Sequence, residues 1–164
     1  MKITEGIVHV AMRHFLKSNG WKLIAGQYPG GSDDELTALN IVDPVVARDN
    51  SPDPRRHSLG KIVPDLIAYK NDDLLVIEAK PKYSQDDRDK LLYLLSERKH
   101  DFYAALEKFA TERNHPELLP VSKLNIIPGL AFSASENKFK KDPGFVYIRV
   151  SGIFEAFMEG YDWG

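Results

Sequence analysis

The chain has 164 residues, the size of one compact domain. Its composition, 43% hydrophobic and 28% charged, excludes a disordered, collagen-like or disulfide-scaffold protein. It contains no cysteine, which removes disulfides, thiolate zinc sites and thiol nucleophiles and fits a reducing, cytoplasmic compartment; its net charge of −2 excludes a histone-like polycation, so nucleic-acid binding would need local basic patches.

Thr4 can cap a first helix through about Ser18, with Ile7, Val8, Ala11, Phe15 and Leu16 on one stripe and Asn19-Gly20 as its stop. His9 and His14, five residues apart, do not share a helix face and are expected on its surface. Trp21 to Gln27 reads as a strand that ends at Tyr28-Pro29-Gly30-Gly31. Gln27 there suits either a DNA-backbone contact or a plain polar strand end. A second extended stretch, Leu36 to Val42, leads into residues 43–60, where prolines and polar residues predict a long loop. That loop carries Arg48, Arg55, Arg56 and His57, a candidate DNA contact. Lys61 to Tyr69 and Leu74 to Lys80 are predicted strands, joined by Lys70-Asn71-Asp72-Asp73, whose residues suit a tight hairpin. Leu74-Leu75-Val76-Ile77 is apolar on both faces, the pattern of a central strand. Ser84 followed by Asp87 opens a long helix, with a break near His100 and an end before Pro116. Leu124 to Ser133 and Phe145 to Val150 are two more strands, separated by a turn-rich stretch with Lys138, Lys140 and Lys141, a second basic candidate for DNA. Ile153 to Met158 is expected as a short terminal helix. This alternation implies an α/β fold, one domain with a mixed sheet flanked by helices.

The chemistry concentrates in the hairpin. Pro64-Asp65 is followed, after 12 intervening residues, by Glu78-Ala79-Lys80. Strand side chains alternate, so Glu78 and Lys80 share one face, and antiparallel pairing would bring Asp65 to the same point. Two adjacent carboxylates repel, and burial beside Ile77 raises their cost unless a cation compensates. A hard divalent ion such as Mg²⁺ suits two carboxylates, with the Ala79 carbonyl as a further oxygen. Lys80 would then orient a bound water and stabilise developing negative charge. Pro52-Asp53 is a second Pro-Asp pair, set aside because it falls in the proline-rich loop with no strand pattern around it.

These residues resemble the PD-(D/E)XK nuclease superfamily, with Pro64-Asp65 in place of its PD and Glu78-Ala79-Lys80 in place of its (D/E)XK. The resemblance implies a restriction-endonuclease-like core and metal-dependent phosphodiester hydrolysis. It makes Asp65 and Glu78 metal ligands, for one or two Mg²⁺ ions with Mn²⁺ as a substitute, and Lys80 the catalytic lysine. Many members also carry a glutamate on the first helix, and Glu5 is the only acidic residue of that helix here. The implied function is a DNA endonuclease, first of restriction type. A repair or recombination nuclease and a non-catalytic nucleic-acid-binding module of the same fold are the alternatives. No phosphate-binding glycine motif points to a nucleotide cofactor, and no apolar run suits a membrane. One such centre cuts one strand, so duplex cleavage would call for a homodimer, for which Phe154, Phe157, Met158, Tyr161 and Trp163 offer large side chains.

Overall fold

The computed structural model describes residues 2–28, 31–32 and 64–161. The expected strand at 36–42, the loop at 43–60 with its basic residues, and Trp163 lie outside the described residues. In chain order the elements are α1 (Glu5–Ser18), β1 (Lys22–Tyr28), β2 (Gly31–Ser32), β3 (Leu66–Lys70) and β4 (Asp73–Ala79). Then follow α2 (Gln85–Ser96), α3 (Lys99–Glu112), β5 (Asn125–Ser133), β6 (Val146–Gly152) and β7 (Glu155–Glu159). The strands lie in the order β2-β1-β3-β4-β5-β6-β7, with the two-residue β2 on the edge of β1. β3 is antiparallel to β4, while β4, β5 and β6 run parallel and β7 returns antiparallel. The fold is therefore α/β with a mixed sheet between helices.

Local chemistry explains the elements. Thr4 accepts a hydrogen bond from the Ile7 amide at 3.2 Å and so caps α1. The β3–β4 hairpin closes through Asn71 and Asp72, both in the left-handed region at φ 50° and 66°, the geometry of a two-residue turn whose twist matches that of the strands. Parallel strands need a crossover, and α2 and α3 supply it between β4 and β5.

β4 is buried from Leu74 to Ala79, and its alternate residues serve opposite layers. Leu75, Ile77 and Ala79 pack with Val8, Met12 and Leu16 of α1. Leu74 and Val76 pack with Leu91 and Leu94 of α2 and Phe102, Leu106 and Phe109 of α3. Each fully buried side chain of this size stabilises the fold by about 1.5–3 kcal/mol. Glu78 belongs by parity to the second layer, a carboxylate at the end of an otherwise apolar row.

One expectation is overturned here. The segment expected as a terminal helix forms β7 after a turn at Ile153-Phe154. Ala156 and Met158 pack on the α1 side while Phe157 is 49% exposed on the other, so the true period is two. The long helix is broken at Glu97-Arg98, beside the break expected near His100, into two helices. Among the described residues no helix is long and apolar enough to cross a membrane.

Candidate active site

The register of the hairpin builds the site. Leu66 pairs with Ile77, which sets Asp65 across from Glu78, and Asp65 Oδ2 accepts the Ala79 amide at 2.8 Å. The Asp65 carboxylate lies near enough to Glu78 to disfavour its charged form. Lys80, one residue past β4, holds its backbone through Ala131 and extends its Nζ to Glu5 Oε1 on α1 at 3.3 Å. On the α2 side, Lys90 Nζ stands 2.8 Å from Glu78 Oε1. Asp65, Glu78, Ala79, Lys80 and Glu5 thus meet at the C-terminal end of β4, where open parallel sheets commonly place their ligands. A groove of about 550 Å³, lined by residues 80–86, opens beside them.

The electrostatics are strained in a consistent way. Glu78 is only 3% exposed. Burial pushes its pKa well above the ordinary glutamate value, the Asp65 carboxylate pushes the same way, and Lys90 opposes both. Burial also raises Asp87, against the pull of Lys80 and Lys90. For Lys80, burial lowers the pKa, and Asp87, Glu5 and Asp65 more than reverse it, so the ammonium is held above the ordinary lysine value. Here is a site with carboxylates in excess of the cations that face them.

Three residues of this cluster escape a reading of the motif alone. His9 is buried at 3% exposure, not on the helix surface as expected. It follows Glu5 by one turn of α1, and burial depresses its pKa despite the nearby Asp65 and Glu5. Its Nδ1 is buried without a hydrogen-bond partner among the described residues, as is Asp87 Oδ2. Asp87 and Lys90 share the inward stripe of α2 with Leu91 and Leu94. A signal did exist: Glu5 with His9 at i, i+4, and two charged residues at apolar-stripe positions. His14 is exposed, with its ring edge-on to Phe154.

The basic DNA-contact candidates are less uniform. Lys138 and Lys140 are exposed in the β5–β6 connection, whereas Lys141 is bound to Glu159 of β7. Gln27 lies in β1 opposite Ser32, with its side chain outside the described residues, as are Arg55, Arg56 and His57. Phe154 is 77% exposed, while Met158 and Tyr161 pack on the core, so only part of the apolar C-terminal set faces outward.

The donor set fits a hard divalent cation. All the acidic atoms at the strand end are oxygens, and two of the carboxylates are close enough to repel. Among the described residues no three His, Asp or Glu side chains stand ready-made around one point. The fit is therefore that of a site with few protein ligands, the remainder being water and substrate oxygen, which is how Mg²⁺ is commonly held. Comparison with family models, with curated proteins and with solved structures found no match.

Proposed function

We propose that the chain is a metal-dependent deoxyribonuclease with a restriction-endonuclease-like core, hydrolysing phosphodiester bonds with water as nucleophile. The observation that carries this reading is the meeting of Asp65, Glu78 and Lys80 at one strand end, with Asp65 tied to the Ala79 amide at 2.8 Å and Lys80 to Glu5 at 3.3 Å.

In this reading Asp65, Glu78 and the Ala79 carbonyl hold Mg²⁺, or Mn²⁺ in its place. The bound metal supplies Lewis acidity and a water of lowered pKa. Asp65 is oriented for its part by the Ala79 amide, which fixes one carboxylate oxygen. Lys80 keeps its proton, because Asp87, Glu5 and Asp65 hold it charged, and so donates to the attacking water and to the phosphate oxygens as negative charge builds on them. Glu5 restricts where that ammonium can point. Water adds to phosphorus, the bond to the leaving oxygen breaks, and the water proton passes to solvent. The groove at residues 80–86 offers a path for the strand beside the reacting phosphate. A restriction role, with a homodimer acting on both strands, is the first choice within this class.

Supercoiled plasmid and linear DNA of random sequence, incubated with the purified protein in Mg²⁺ and separately in Ca²⁺, test the reading. Discrete fragments in Mg²⁺ support restriction, and nicks or smears support a repair-type nuclease. Absence of any cleavage, with DNA still bound, would replace the enzyme by a binding module.

A further inference from the structure

Glu78 has two oxygens, and the structure already commits one of them. Lys90 Nζ lies 2.8 Å from Oε1, on a carboxylate that is 3% exposed, while the Lys90 side chain is 32% exposed. Lys90 reaches this point because it sits on the inward stripe of α2, one residue before the buried Leu91. The ammonium comes from the α2 layer, whose Leu91 and Leu94 pack with Leu74 and Val76 of β4.

The charges at the strand end can be balanced by inspection. Among the described residues Glu5, Asp65, Glu78 and Asp87 face Lys80 and Lys90, an excess of two negative charges when all are ionised. One divalent cation neutralises that excess. A second would leave two uncompensated positive charges at a largely buried point, an unfavourable state in a medium that screens poorly.

We propose that Lys90 is a resident counter-cation for Glu78, occupying the place a second metal ion would take, so that the site accepts a single divalent cation between Asp65 and Glu78. The inference rests on the metal-dependent reading above and concerns the number of ions, which that reading leaves open. Lys90 is thereby a positioning residue: it acts on Glu78 and not on the substrate. In the metal-free protein the same contact keeps the Glu78 carboxylate in place beside Asp65.

Calorimetric titration with Mn²⁺, paired with spin counting of bound Mn²⁺, tests this on the wild type, Lys90→Met and Lys90→Arg. The wild type and Lys90→Arg are expected to bind one ion per chain. Lys90→Met, of similar length and without charge, is expected to bind two, and its metal-free form to melt at a lower temperature that Mn²⁺ restores. Two ions per wild-type chain would overturn the proposal, and so would one ion per folded Lys90→Met chain. The wild-type count decides the matter even if Lys90→Met does not fold. Plasmid cleavage by the wild type, measured alongside, separates the two ideas: cleavage with two ions removes the Lys90 proposal alone, and no Mn²⁺ binding removes both.

Discussion

Two groups of buried charge stand on the same sheet, one at the end of β4 and one on β6, and they are built on opposite terms. On β6, Arg149 is 5% exposed, yet its terminal nitrogens reach Glu159 at 2.8 Å, the Ala134 carbonyl at 3.0 Å, the Glu136 carbonyl and the Asn137 side chain. Its guanidinium lies 5.0 Å from the Phe132 ring centre and 5.1 Å from that of Phe139. Lys141 and Arg149 hold Glu159 below the ordinary glutamate value in spite of its burial. At the end of β4, by contrast, Glu78 and Asp87 are held above their ordinary values, and His9 Nδ1 and Asp87 Oδ2 are buried without partners among the described residues. The first group locks the β5–β6 connection with its charges paired, although Arg149 Nε is also buried without a hydrogen-bond partner among the described residues. The second holds, among the described residues, more carboxylates than cations, the imbalance on which the proposed metal site rests.

Substitutions should separate the two sharply. Lys80→Ala is expected to reduce cleavage by at least about 10²–10³-fold while leaving the melting temperature and Mn²⁺ binding nearly unchanged. Asp65→Asn and Glu78→Gln should lose Mn²⁺ affinity as well as cleavage, as titration calorimetry would read. Loss of fold in Lys80→Ala would make this group a structural lock too and break the contrast. Arg149→Met should do the reverse: about 3 kcal/mol of stability lost in urea unfolding, because Glu159 and two carbonyls lose a buried donor, with cleavage per folded molecule retained.

A smaller effect follows from His9. Its folded-state pKa lies below the ordinary imidazole value near 6.5, so the unfolded chain binds the extra proton first as pH falls. The stability His9 contributes is complete above about pH 6.5 and is lost as pH drops through its depressed folded pKa. Comparing urea midpoints of the wild type and His9→Gln between pH 7.5 and 5 should show the wild type losing more. Equal losses would show that burial does not depress the His9 pKa. The smallest effect is expected at Asp142, whose pKa is lowered mainly by its two contacts with Arg88 of α2, at 3.0 and 2.9 Å. Asp142→Asn should lower the melting temperature by no more than about 2 °C at neutral pH, and the difference should vanish below the ordinary aspartate range, where the wild-type carboxyl also protonates.

Much of this contrast is legible in the residue order, for physical reasons that can be named. The hairpin is local: Asn71-Asp72 dictates a two-residue turn, and the turn sets the register that brings Asp65 to Glu78. The central position of β4 follows from an apolar run that only a doubly covered strand would use. The terminal strand is hidden in the sequence because Ile153, Phe154, Phe157 and Met158 also have helical spacing, and pairing with β6 decides between the periods. The burial of His9 is hidden for a related reason. A single polar residue on a helix gives no local sign of what it faces, and here it faces β3 and β4, more than fifty residues away. The same holds for Asp87 and Lys90, whose inward placement becomes meaningful only when α2 lies over Glu78.

Diffraction from crystals soaked in Mn²⁺, with anomalous difference maps, tests the central claim most directly. One strong peak per chain is expected, roughly 2.1 Å from carboxylate oxygens of Asp65 and Glu78, with Lys90 still beside Glu78. A map with no peak at this strand end, at Mn²⁺ concentrations that saturate any binding seen in solution, would contradict it.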